Sequence, residues 1–88
     1  MGLINKTSGM SLFFKTHFGI HTFFMKYPID VLILDQKNKV VYLKEGLKPN
    51  RFFFWNPIYN NVIELPEDTV KKQRINLGNK IQLKLLKL

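Results

Sequence analysis

Two titratable side chains, His21 and Asp30, stand in a run (residues 19–35) made mostly of apolar and aromatic residues. A polar group taken out of water needs a hydrogen-bond partner or costs about 1–3 kcal/mol. One explanation is chemical: Asp30 orients or charges His21 for acid–base work or for binding a small metabolite. The other is architectural: Asp30 caps the backbone of a bend at Tyr27-Pro28 while a carbonyl satisfies His21. Glu64, inside Val62-Ile63-Glu64-Leu65, completes the candidate polar site. Close to Asp30 it would form a proton-sharing pair with one raised pKa, whereas strand alternation alone makes it a solvent-facing or loop-anchoring carboxylate. His17 and His21 are four apart, a spacing that serves a metal only on a helix, and Gly19 between them opposes one. No metal or cofactor is therefore expected. Ser8 and Ser11 lie in a weakly structured start and order into no triad, so no catalytic residue is assigned.

Arg51-Phe52-Phe53-Phe54-Trp55 is a second anomaly. Aromatic side chains alternate to both faces of a strand, and they cannot all enter one small core unless the strand is covered on both sides. Some of them therefore line an exposed patch, suited to self-association or to a protein partner. Stacked aromatics beside Lys48 and Arg51 would also suit single-stranded nucleic acid. Against these stands a plain packing role, since a chain without alanine fills its core with larger residues such as Phe.

The elements that must position these groups read as short strands. Residues 23–25 and 31–34 are rich in β-branched and aromatic residues, with Tyr27-Pro28 interrupting any helix between them. Asp35-Gln36-Lys37-Asn38-Lys39 is a turn cluster leading into a strand at 40–43, which makes 31–43 a β-hairpin. Gly46 and Pro49 punctuate the next connection, 52–55 is extended, Asn56-Pro57 turns and 61–65 is a strand. A short helix is expected over 66–72, with Pro66 at its first position, acids next and lysines last. Gly78-Asn79 turns into a half-buried final strand over 80–85, whose alternation slips at Leu85-Leu86.

Eighty-eight residues make one domain with one small core, preceded by a short flexible segment at 1–10. With no cysteine there is no disulfide framework, no thiolate nucleophile and no zinc-thiolate cluster. No apolar run has the length of a signal peptide core or a membrane span, so a soluble, cytoplasmic protein without membrane contact is expected. The net charge is +8, and residues 69–88 hold six Lys or Arg and no acid, a weak pointer to nucleic acid through the basic C-terminal third. Only two arginines are present, and the excess of Lys, Asn, Ile and Phe is also what AT-rich codons produce.

The order of motifs carries a resemblance. His21-Thr22-Phe23-Phe24-Met25, Pro28-Ile29-Asp30-Val31, Val40-Val41, Leu47-Lys48-Pro49, Ile63-Glu64-Leu65-Pro66 and Gly78, in this order and spacing, resemble the uncharacterised family called domain of unknown function 192. The resemblance covers roughly residues 11–85. It implies a mostly β, sandwich-like domain and no established activity. The chain departs from the family pattern at Phe18-Gly19, where many relatives carry a cysteine, at Glu67-Asp68, where a small residue and glycine are usual, and at Gly78-Asn79 in place of Gly-Asp.

The expected fold is mostly β: a small antiparallel sandwich or barrel-like sheet with one short helix. The expected role is a non-enzymatic binding or protein-interaction module acting through Arg51, Phe52, Phe53, Phe54 and Trp55. A homo-oligomer or another protein would be its partner. A small enzyme or metabolite-binding protein using His21, Asp30 and Glu64 is the alternative.

Overall fold

The computed structural model of the chain describes residues 11–17, 19–22 and 26–81. The expected N-terminal segment, the strand at 23–25 and the last strand beyond residue 81 lie outside the described residues.

The described chain is mostly strand, arranged in two antiparallel sheets with one short helix. Strands β1 (Leu12–Lys15), β6 (Asn61–Pro66), β3 (Ile29–Leu34) and β4 (Val40–Leu47) lie side by side in that order in the larger sheet. Strands β2 (Ile20–His21) and β5 (Phe52–Phe53) pair with each other as a separate ribbon. The described strands close into no barrel.

The sheet is covered on both faces, which explains the unbroken apolar run of its central strand: a strand buried on one face alternates, and one buried on both does not. Val31, Leu32, Ile33 and Leu34 are all essentially solvent-free. Val31, Ile33 and Val62 face the ribbon and pack with Ile20, Leu47 and Trp55. Leu32, Leu34, Ile63 and Leu65 face the other way and pack with Val40 and with Val70 of the helix α1 (Thr69–Gln73).

The hairpin of β3 and β4 forms as expected. The Asp35 carboxylate accepts the N–H groups of Lys37 (2.8 Å) and Lys39 (2.9 Å), and Asn38 takes the left-handed conformation that closes the turn. The Lys39 N–H, the largest influence, together with the Lys37 N–H and the two nearby ammonium groups, outweighs desolvation and holds the Asp35 carboxyl below its ordinary value.

β4 runs past the expected end at Leu43 as far as Leu47. Between the pairs Val31↔Lys44 and Ile29↔Leu47 it carries one residue more than β3, a β-bulge at Glu45-Gly46. Gly46 has φ +65°, so a residue that reads as a strand breaker is the pivot of a bulge inside the strand. The helix starts three residues later than expected. Pro66 instead ends β6 opposite Ile29, and its carbonyl accepts the Thr69 hydroxyl at 2.7 Å. Asp68, in the left-handed conformation, makes no side-chain cap.

Candidate functional site

The three candidate polar residues are placed on three different surfaces. Residues directly opposite in a ladder share a face. Asp30 lies opposite Leu65 and Glu64 opposite Val31, so the two carboxylates point to opposite sides of the sheet. The proton-sharing arrangement is thereby corrected: a whole sheet separates the acids. Ile20, next to His21, packs inward onto the sheet, so His21 projects from the outer side of the ribbon, where it is exposed. Asp30 consequently does not orient His21.

Asp30 is fully buried, and both carboxylate oxygens are used. Oδ1 accepts the Gly46 N–H at 2.9 Å, the amide turned inward at the bulge. Oδ2 accepts the Val70 N–H at 2.8 Å, in the first turn of α1. Carboxylates suit helix N-termini because the first N–H groups have no intrahelical partner. This helix takes its cap from a strand 40 residues earlier. The architectural reading of Asp30 is close, with a different target: the carboxylate ties β3 to β4 and α1 instead of closing the Tyr27-Pro28 bend.

Glu64 is also buried, on the ribbon side between Leu12 and Val31. Burial pushes its carboxyl above the ordinary value of 4.5. The folded state then holds the proton after the unfolded chain has released it, so stability falls as pH rises from about 4.5 through the raised value. Glu64→Gln is expected to remove this loss and to be at least as stable as the wild type at neutral pH. Urea denaturation from about pH 4.5 to 7 checks this, and identical pH slopes for the two proteins would contradict it.

His17 directs Nδ1 at the Pro57 carbonyl (2.8 Å) and Nε2 towards the Asn60 amide (3.5 Å), bridging the end of β1 to the turn at 56–60. Among the described residues no three potential metal ligands come together. Two shallow concavities of about 500 and 430 Å³ are present, and neither is lined by His21, Asp30 or Glu64.

Alternation divides the aromatic segment. Phe53 lies opposite Ile20 and faces inward, and Trp55 is buried with its indole N–H donating to the Tyr59 carbonyl at 2.7 Å. Their rings pack at 5.6 Å in the core. Phe52 and Phe54 face outward at 58% and 65% exposure, their rings stacked 11° from parallel with centroids 5.7 Å apart. His21, opposite Phe52, meets its ring edge-on at 6.3 Å. Just past the pair Ile20↔Phe53, Gly19 lies against the Phe54 ring. A Cβ at Gly19 would meet the Phe54 ring and stand 2.8 Å from the Phe53 carbonyl oxygen, and the backbone there is at φ +92°. Glycine thus provides a floor on which the Phe54 ring lies. Arg51 and Lys48 are exposed at the head of β5.

Thr22 is the residue that sequence reasoning passed over. It is buried, and its hydroxyl accepts the Arg51 N–H at 2.9 Å while donating to the Lys48 carbonyl at 2.7 Å. Its backbone bonds the same loop twice more: the Thr22 N–H donates to Arg51 O, and the Asn50 N–H donates to Thr22 O. Thr22 therefore fixes where β5 begins. The available signal was its two-residue spacing from Ile20, which puts a hydroxyl on the buried face.

The family model described as Uncharacterized ACR, domain of unknown function 192, matches residues 2–83. No curated protein and no solved structure matches the chain.

Proposed function

The chain belongs to the domain of unknown function 192 family, which carries no established activity, and from that premise we propose that it is a non-enzymatic binding module whose contact surface is the outer face of the β2–β5 ribbon. The observation that carries this reading is the division of the aromatic segment: Phe53 and Trp55 build the core while Phe52 and Phe54 stack in solvent. Exposed rings cost solubility and add little to stability, and a surface aromatic held in place is the usual anchor of an interface. The contact residues are Phe52, Phe54 and His21, with Arg51 beside them. Phe53 and Trp55 belong to the core, so their substitution tests folding instead of binding.

The experiment is a thermal-shift survey of peptides, metabolites and oligonucleotides on the wild type and on a Phe52→Ser/Phe54→Ser variant, with the solution mass of both measured for self-association. A bound partner stabilises the folded state by mass action. We expect the unliganded variant to melt within a few degrees of the wild type and to lose either a ligand-induced shift or an oligomer that the wild type shows. A variant that matches the wild type against every ligand and in mass would remove the proposal.

A further inference from the structure

We infer that the ribbon's ligand is single-stranded nucleic acid, with bases stacking on Phe52 and Phe54; this rests on the reading of the ribbon as the binding surface. Three observations favour that ligand over a second copy of the chain or a folded protein. The first is geometry. Phe52 and Phe54 are two residues apart at β5 and just past it, nearly parallel and 58% and 65% exposed, a stepped pair of rings of the kind that holds successive unpaired bases.

The second is charge. The ribbon strands β2 and β5 lie within stretches of sequence, residues 1–29 and 46–63, that contain no Asp or Glu, and the first acid in the chain is Asp30. All six acids lie elsewhere: Asp30 and Glu64 buried within the sheet, and Asp35, Glu45, Glu67 and Asp68 in the β3–β4 turn, β4 and the approach to α1. A phosphate backbone crossing the ribbon meets Lys48 and Arg51 and no carboxylate of these segments, on a chain whose net charge of +8 draws it in. This path differs from the basic C-terminal third considered from sequence, whose Lys71 and Lys72 belong to α1 on the far side of the sheet.

The third is size. Two phenyl rings at these exposures offer roughly 250 Å² of apolar surface, whereas a stable protein interface would have to recruit many residues beyond them to reach ~800 Å² per partner. Two stacked bases need no more than the rings provide.

The test is fluorescence anisotropy of a labelled oligothymidylate and of a duplex of the same length, at two salt concentrations, on the full chain. We expect the single strand to bind more tightly than the duplex. Its affinity should fall roughly sevenfold for a fourfold rise in salt if two phosphates are neutralised. Phe54→Leu and Phe52→Ala should each weaken binding about tenfold with unchanged melting, whereas Lys71→Ala/Lys72→Ala and the exposed Ile58→Ala should have much smaller effects. Phe54→Leu keeps apolar bulk over Gly19, so folding and stacking are separated.

Equal affinity for duplex, undiminished binding by the ring variants, or a larger loss from the α1 lysines would overturn the inference. So would the absence of oligonucleotide binding. In that case the mass and thermal-shift comparison of the Phe52→Ser/Phe54→Ser variant still decides whether the ribbon binds something else.

Discussion

Asp30→Ala should remove about 3–5 kcal/mol of stability, a large share of what a chain of this length possesses. The side chain is fully buried and accepts two backbone N–H groups, from Gly46 at the bulge and from Val70 in the helix. Alanine leaves both donors in an apolar interior with no acceptor, and each orphaned group costs its full desolvation. Asp30→Asn keeps the shape and one oxygen but turns an NH₂ towards a second donor, so it should lose roughly half as much. Urea denaturation monitored by Trp55 fluorescence measures both, with the dependence on denaturant expected to stay constant. A loss below about 1 kcal/mol for Asp30→Ala would mean that water replaces the carboxylate and that the link is dispensable.

Thr22→Val is the second large effect, at about 2 kcal/mol. Valine fills the same volume and keeps the β-branched shape, so the change isolates the hydroxyl. Without it the Arg51 N–H and the Lys48 carbonyl each lose their contact with a buried oxygen. Thr22→Ser, which restores the oxygen and omits only a methyl group, should recover about half of the loss. The consequence extends beyond stability, because Thr22 sets the start of β5 and with it the position of Phe52 and Phe54. Amide hydrogen exchange at Arg51 and Phe53 should quicken in the valine variant while the Leu32 and Ile33 amides stay protected. Uniform acceleration would show that Thr22 supports the whole fold instead of the ribbon.

Local patterns in the sequence read correctly where the structure is local. The β3–β4 hairpin followed from a turn cluster between two β-branched runs, and its Asp35 turn closes within five residues. β6 followed from its apolar run. The misread boundaries all involve a partner distant in sequence. Gly46 reads as the end of a strand unless Asp30 is there to accept the N–H turned inward. Pro66-Glu67-Asp68 reads as a first helical turn, yet the cap is Asp30, and Pro66 remains in the sheet opposite Ile29.

The candidate site divided in the same way. Alternation established that some of residues 52–55 must face outward, but which ones depends on the pairing of Phe53 with Ile20. His21 and Asp30 look like a pair along the chain, and they lie on opposite sides of two layers because one sits on the ribbon and the other on the sheet face that packs against α1. Thr22, the least conspicuous polar residue of that segment, bonds the loop that presents the aromatic face through both its hydroxyl and its backbone.

The long reach of Asp30 also sets an order of assembly. Its two acceptors close chain loops of 16 and 40 residues, and such contacts form only after the intervening chain has lost most of its freedom. A five-residue helix is far below the length at which helices persist alone. The helix therefore cannot lead folding: β3 must already lie between β4 and β6 before the carboxylate is in place to receive Val70. The hairpin, whose contacts are the most local, is the natural starting point, and α1 docks after the sheet is in place.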